Sequence, residues 1–444
     1  MVPDFDIFEN RKVNIPPMNT ENNFLSTFQW FIYLLAYSIA LPIVIGHVFA
    51  LSGTEISALM QRTFFIVGLS SFMQVKFGHR FPIADGPAGS WVSIFVIYAS
   101  IGTQNGLPMM ETLQTLEAGL IVAGLLLFLL GITKWVRHLL FLFSPIVTGT
   151  FLFILALQLS GVFFKGMVSR DGSTGQLDGV SFLLAILIFF LIIILSAKAK
   201  GWLKNYAILL GILAGWISFL IFGKGDQGIS MSSDNIQLPE IFPWGFPTIT
   251  GGVLVTAILF TFLLISNTIA AISAAEEVNP NIKGHFHAKL NRGTWVGGVS
   301  HLFSALFSTI AVVPLPATAG FVRLTKQYRI IPFLFACGMM VIISLFPSIV
   351  GLLASLPLPV ASAALLATLI EMLGISIRSL TKQPLNDRDI TIIGVSLLFG
   401  IGTMFLPDDI FNGLPSIIQN IGKNGLLIGT FLAIIFEQLW KSKN

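Results

Sequence analysis

The sequence is short of charge, of cysteine and of long polar stretches. Only 10% of its 444 residues are Asp, Glu, Lys or Arg, against about a quarter in a typical soluble protein. So few charges cannot solvate a globule of this size, which excludes a soluble enzyme, a disordered chain and a dedicated nucleic-acid binder. One cysteine, Cys337, allows no intrachain disulfide and no multi-cysteine metal site. The first 25 residues are polar and interrupted by prolines, and they lack the basic, apolar and small-residue order of a secretory signal. No polar interruption is long enough for a separate soluble domain.

Apolar residues are plentiful instead. They make up 55% of the chain, and mean hydropathy is +0.86. In lipid every backbone N–H and C=O has to be paired within its own segment, so apolar runs of about 20 residues read as spanning helices. Such runs cover 28–51, 57–75, 83–101, 115–133, 138–161, 178–197, 203–223, 249–275, 294–313, 314–327, 330–353, 357–375, 389–407 and 415–439. The expected fold is an all-α polytopic membrane protein with 14 transmembrane segments and both termini cytoplasmic. That count leaves only Arg62, Lys165, Arg170, Lys224 and Lys423 of the 25 basic residues outside, as the positive-inside rule asks. An alternative without segments three and ten leaves the apolar run Phe81–Tyr98 beside Lys76 and Arg80 with no role.

Segments three and ten differ from the rest. The third reads Arg80-Phe-Pro82-Ile-Ala-Asp85-Gly86-Pro87-Ala-Gly89-Ser90-Trp91, and the tenth Val313-Pro314-Leu-Pro316-Ala317-Thr318-Ala-Gly320-Phe-Val-Arg323. Proline has no N–H and obstructs the preceding turn, so neither is a full helix. Each is expected to run extended and then enter a half-helix near mid-membrane. Each is also third in a set of seven, and a unit with an odd number of crossings is inverted relative to its copy. The expected organisation is a tail over 1–25, a first repeat over 26–225, an extracytoplasmic loop over 226–248, a second repeat over 249–440 and a tail over 441–444. Paired broken segments in an inverted repeat point to the central site of a transporter. A half-helix N-terminus there leaves backbone N–H groups unpaired at the positive end of a helix dipole.

Ionisable residues inside a membrane are rare enough to be functional candidates by default. Glu117 lies near the outer start of segment four and Asp85 at the entry to broken segment three; both are candidates for proton coupling, Asp85 having the alternative role of a turn or cap residue. Glu276 and Glu277 close segment eight and read as solvated ends, and Glu371 reads as interfacial. His285 and His287 form an H-x-H spacing in a basic loop with no carboxylate or thiol partner, so no metal site is expected, and no cofactor or catalytic motif is present. Segment eight is polar at its centre: Ile265-Ser266-Asn267-Thr268 interrupts an apolar run, and Asn267 carries two donors and an acceptor suited to the edge of a heterocycle. Gln29-Trp30 and Tyr37-Ser38 add polar atoms to segment one, and Trp91 is either a stacking platform or a packing residue.

Several stretches then match one family in order. These are Gln29-Trp-Phe-Ile-Tyr with Ala40-Leu-Pro42, Ser144-Pro145-Ile-Val-Thr148-Gly149-Thr150, Asn291-Arg292-Gly293 with Gly297-Gly298, and Gly320-Phe-Val-Arg-Leu-Thr325 followed by Leu345-Phe-Pro347 and Leu356-Pro357. The chain resembles the nucleobase–ascorbate transporter family, which includes uracil, xanthine and uric acid permeases. The resemblance implies two inverted seven-segment repeats divided into a core and a gate domain, a base bound between helices one, three, eight and ten, proton-coupled uptake, and pairing of two copies through the gate. Two departures matter. Asn267 stands where the family places a helix-eight glutamate that binds the base, and Ala317-Thr318 stands where it places a Gln-Asn or Glu-Asn pair.

The expected function is secondary transport of a purine or related nucleobase across the cytoplasmic membrane, with no enzymatic step. Asn267 and Thr268 are expected to bind the base edge. Backbone N–H groups around Gly89–Ser90 and Ala317, Thr318 and Gly320 complete the site, with Trp91, Gln29 and Tyr37 as further candidates. The expected partners are a small-molecule nucleobase, the lipid bilayer and a second copy of the chain, and not nucleic acid. A same-fold rival is a sulfate or carboxylate transporter, since helix N-termini also suit anions; a rival of another class is a membrane scaffold or sensor.

Overall fold

The computed structural model describes residues 23–104, 106–168, 177–224, 236–278, 286–411, 414 and 416–440. Arg11, Lys12, Arg170, Lys283, Lys441, Lys443, His285 and most of both tails lie outside the described residues.

Each apolar stretch read from the sequence contains at least one helix. In chain order they are α1 (Asn23–Val48), α2 (Gly53–Lys76), α3 (Gly89–Gln104), α4 (Met109–Ile132), α5 (Pro145–Met167), α6 (Gly179–Lys198), α7 (Ala207–Ile221), α8 (Gly251–Val278), α9 (Phe286–Leu306), α10 (Thr318–Thr325), α11 (Ile330–Ser344), α12 (Leu358–Leu380), α13 (Asp387–Gly402) and α14 (Gly425–Leu439). Among the described residues, 8 helices are long and apolar enough to cross a bilayer, or up to 9 when α11 is joined to the short helix Pro347–Ala354, which it meets at 91°. Their ends follow from local chemistry. Ser52 and Glu55 form a reciprocal capping box at α2, as Asn386 and Asp389 do at α13. Ser144 caps α5 with Pro145 at its first position, and Asp178 caps α6. Such side chains pair amide donors that the first helical turn leaves open.

The helices sort into two packing groups. One holds α1–α4 and α8–α11, in which α4 packs on α9, α2 on α11 and α8 on α4. The other holds α5–α7 and α12–α14, in which α5 packs on α12, α13 on α14 and α6 on α7. The groups meet where α1 lies against α12, where α8 lies against the short helix Ser416–Gly422 that leads into α14, and where α3 lies against α5. The crossing of α4 and α9 is close because it has glycine on both sides. A Cβ on Gly298 would collide with the Phe128 amide N, and one on Gly131 with the Trp295 amide N. Small residues bring helix backbones together where lipid supplies no hydrophobic drive between helices.

The periphery differs. On α6, Leu183, Leu187, Phe190 and Ile194 repeat at helical spacing and are each more than half exposed, the apolar face that hydrocarbon covers. Charge sits at the ends. Lys224 pairs with Asp178 at 2.8 Å and Lys289 with Glu276 at 2.9 Å, while Arg388 bridges Asp389 and Glu437.

The two broken segments pair with each other. Strands β1 (Asp85–Pro87) and β2 (Val312–Pro314) run antiparallel with Asp85 opposite Pro314, Gly86 opposite Val313 and Pro87 opposite Val312. The ladder extends outward, with Ala88 N donating to Ala311 O (2.8 Å) and Leu315 N to Ala84 O (2.9 Å). Both strands are buried throughout. Two short extended pieces, each unable to be helix, satisfy one another's backbone groups at a depth where water cannot. Each then turns into a half-helix, α3 after β1 and α10 after β2.

Candidate functional site

The β1–β2 pair fixes what surrounds it. Asn267, midway along α8, donates from Nδ2 to Pro314 O at 3.0 Å, so the amide clamps β2 and leaves its oxygen as the free end. Thr318 opens α10, is buried, and receives hydrogen bonds at Oγ1 from Ala84 N (3.3 Å) and the Tyr33 hydroxyl (3.4 Å). One hydroxyl thus joins α1, the β1 side and α10. Tyr33 packs with tilted rings on Tyr37 and Phe321 at centroid distances of 4.7 and 4.5 Å. Trp30 closes the same cluster against Phe321 and Phe333. Beside the first turn of α10 a small cleft is lined by Pro82, Ile83, Ala275, Thr318, Ala319 and Val322.

The two half-helix N-termini are not equivalent. In α10 the first amides are closed locally, Thr318 N onto Leu315 O, Ala319 N onto Pro316 O and Gly320 N onto Ala317 O, at 3.0–3.1 Å. This corrects the expectation of bare donors at Thr318 and Gly320: tight i→i+3 turns consume them. Ala317 precedes those turns, and its own amide bonds to no described carbonyl. At α3 the amides of Gly89 and Ser90 likewise bond to no described carbonyl, and Gly89 lies where a Cβ would meet Leu159 of α5 at 3.1 Å. The open donors are therefore those of α3 and of Ala317.

Three further expectations change. Trp91 is buried, donates Nε1–H to His301 Nε2 at 3.1 Å and packs on Phe95 and Phe260; its ring is consumed by packing and is no stacking platform. The Thr268 hydroxyl returns to Leu264 O of its own helix at 3.0 Å, because adjacent helical residues point about 100° apart and Asn267 takes the inward direction. Gln29 accepts from Gln327 at 3.0 Å, beyond the far end of α10 from Thr318.

The two carboxylates both sit in buried networks. Asp85 is 1% exposed, accepts from the Ser70 hydroxyl, and donates its amide to Ser71 Oγ at 2.9 Å; Ser70 in turn touches Ser300 of α9 at 2.6 Å. Asp85 Oδ1 has no hydrogen-bond partner among the described residues. Glu117 is fully buried and accepts from the Ser308 hydroxyl, while its Oε2 has no partner among the described residues. Ser308 adopts φ +43°, a left-handed conformation uncommon outside glycine. It also presents its carbonyl to Arg62 Nε at 3.2 Å. Arg62, counted from the sequence among the outside charges, is 4% exposed and lies over the Trp244 ring at 5.9 Å. Glu276 and Glu277 behave as helix ends, paired with Lys289 and Arg323. Tyr33, Phe321 and Ser308 were not singled out from the sequence. Tyr33 stands four residues before Tyr37, one helical turn, and that spacing was the available signal.

Two discontinuous segments crossing between membrane helices, with a polar clamp at their junction, define a solute-carrier architecture. The chain resembles the transmembrane domain of a cyanobacterium bicarbonate transporter, BicA, with a TM-score of 0.60 over 95% of this chain and 98% of that one at 14% identity, a likeness of fold. A family model described as Permease family (Xan_ur_permease) matches residues 21–409, and the chain belongs to this family of membrane permeases rather than to any enzyme class. It is 32% identical over 427 residues to the putative purine permease YwdJ of Bacillus subtilis (strain 168), covering 94% of this chain and 96% of that protein. It is 25% identical over 425 residues to the uric acid permease PucK of the same organism, covering 94% of each.

Proposed function

We propose that this permease is a secondary transporter carrying a purine or related nucleobase across the cytoplasmic membrane. The observation that carries the reading is the antiparallel junction of β1 and β2, which gathers Asn267 of α8, Thr318 of α10, Tyr33 and Tyr37 of α1 and the first turn of α3. A planar solute with both donors and acceptors on its rim suits that set. The α3 amides donate, Asn267 Oδ1 accepts, and the half-buried Tyr37 ring offers flat apolar surface. The relatives named as purine and uric acid permeases support the same solute class. An anion carrier is less well supported, since Arg323 is engaged with Glu277 at 3.5 Å on the surface.

In this reading the chain crosses 14 times as inverted repeats over 26–225 and 249–440. The flanking tails are cytoplasmic, the 226–248 loop is external, and copies pair through α5–α7 and α12–α14. Movement of the α1–α4/α8–α11 group against the other would carry the solute across. Asp85 and Glu117, each with an unpaired oxygen, are candidates for holding a coupled proton.

The test is uptake of labelled xanthine, uric acid, uracil and sulfate by cells expressing the protein, with counterflow in proteoliposomes. Purine uptake competed by purines but not by sulfate is expected, and Asn267→Ala is expected to abolish or redirect it at unchanged membrane abundance. Sulfate uptake, or binding without counterflow, would overturn the reading.

A further inference from the structure

The first turn of α3 holds the open amides of Gly89 and Ser90 and lies on the boundary between the two packing groups. Within its own group α3 packs on α4 and α1, and across the boundary it packs on α5. A Cβ built on Gly89 would meet Leu159 of α5 at 3.1 Å. A half-helix that touches both groups has to be tied to one of them if its amides are to keep a fixed direction.

The tie runs through the next residue. Trp91 is 1% exposed and sets its indole among α4, α8 and α9. Its Nε1–H donates to His301 Nε2 at 3.1 Å, and its ring meets Phe260 edge-on at 5.0 Å. The far edge of the indole passes over Gly119, where an added Cβ would lie 3.8 Å from Cη2. His301 is itself 1% exposed, with Nδ1 2.8 Å from Gly297 O of the preceding turn of α9. An indole N–H only donates, so Nε2 accepts and the imidazole proton sits on Nδ1, directed at Gly297 O. Both ring nitrogens are thereby occupied within the protein.

Ser300, one residue earlier, holds the other side of the break. It touches Ser70 at 2.6 Å, and Ser70 donates to Asp85. Consecutive residues of α9 thus grip the first broken segment at the start of β1 and again within the first turn of α3. Gly89 and Ser90 lie between the two grips.

We propose that His301 is a positioning residue for solute binding: through Trp91 it fixes the direction of the open α3 amides without touching the solute. The inference rests on the nucleobase reading above, in which those amides donate to the solute. A buried indole N–H deprived of its acceptor is unfavourable where water cannot replace it. The ring then turns toward another partner and carries the first turn with it. Hydrogen bonds weaken steeply as they bend, so a small rotation of that turn is felt as lost affinity for the solute. The movement of one group against the other does not depend on the bond.

Asn and Gln at position 301 separate the two nitrogens. The Asn amide ends near the place of Nδ1 and keeps the bond to Gly297 O, whereas Gln reaches the place of Nε2 and offers Trp91 an oxygen. The experiment measures KM and maximal rate for uptake of labelled xanthine and uric acid, with thermal unfolding of the purified protein. It compares wild type, His301→Asn, His301→Gln, Trp91→Phe and the His301→Asn/Trp91→Phe double variant. His301→Asn is expected to raise KM about tenfold, as loss of one buried hydrogen bond does, with maximal rate within about twofold of wild type. His301→Gln is expected to keep KM close to wild type. Trp91→Phe should raise KM as His301→Asn does, and the double variant should be no worse than either, because one bond cannot be lost twice.

Equal KM in the Asn and Gln variants overturns the proposal, as does a double variant in which the two losses multiply. Failure of both His301 variants to fold also overturns it, since the residue would then serve stability alone. Where only His301→Asn fails to fold, Trp91→Phe decides: a raised KM supports the proposal and an unchanged one overturns it. Wild-type protein that takes up neither purine overturns the functional reading beneath it.

Discussion

The two broken segments share a plan, an extended strand followed by a half-helix, and differ in what they offer. The first brings a buried acid, Asp85, and a first turn whose Gly89 and Ser90 amides stay open. The second brings no charge into the junction. Its amides from Thr318 onward close on themselves, and it presents a hydroxyl, Thr318, and a glycine, Gly320, that lets the carboxyl of Glu371 approach. The two segments are complementary, one rich in donors and charge, the other an acceptor and a gap. A dinucleotide-like or anion site would want both N-termini open; an asymmetric pair suits a ligand with unlike edges.

The largest effect is expected from breaking the junction itself. A Cβ on Gly86 would lie 2.6 Å from Leu315 Cδ1 in the paired strands. Gly86→Val should cost about 1–3 kcal/mol through overpacking and abolish uptake, read by thermal unfolding and transport at matched membrane abundance. Next comes the charged side of the comparison. Ser70→Ala removes the hydroxyl that Asp85 accepts from and should cost about 1–3 kcal/mol, the penalty for orphaning a buried polar group. Thr318→Val tests the uncharged side. It removes an acceptor from two long bonds, 3.3 and 3.4 Å, and should cost about 1 kcal/mol, the middle of the range for a neutral hydrogen bond. If the two substitutions cost the same, the asymmetry argued above is wrong.

Two controls lie outside the junction. The Lys224 ammonium, then the Ser181 hydroxyl and amide, hold the Asp178 carboxyl at about 2 rather than the ordinary 3.8. A carboxyl lowered on folding adds stability above its unfolded value and loses it as pH falls through the folded one. Asp178→Ala should therefore lower stability by about 1 kcal/mol at neutral pH, mostly through the lost cap, with the difference shrinking as pH falls from about 4 toward 2. Leu187→Ala, on the lipid-covered face of α6, should change stability by less than about 0.5 kcal/mol and leave uptake unaltered.

Much of this arrangement was legible in the sequence because it is written in local chemistry. Apolar runs located the helices, and Pro82, Pro87, Pro314 and Pro316 located the two breaks. Asn267 in an otherwise apolar segment pointed at the junction it clamps. What misled was direction. Trp91, Gln29 and Thr268 are polar or aromatic residues in the right segments, yet their atoms are spent on His301, Gln327 and Leu264. Helix phase and neighbour identity decide that, and neither is fixed by a residue's own type. Glu371 shows the converse: its segment was legible, but its approach to Gly320 depends on a helix about 50 residues away.

The sequence by itself determined a membrane-embedded helical chain with two interrupted segments, because hydrophobicity and proline act through each residue's own backbone and its transfer into lipid. Only the tertiary structure decided that the interruptions pair as antiparallel strands, that one N-terminus stays open while the other closes, and that an acid from α12 reaches the junction. Those outcomes depend on which distant groups compete for each hydrogen bond, and that competition is settled only once the helices have packed.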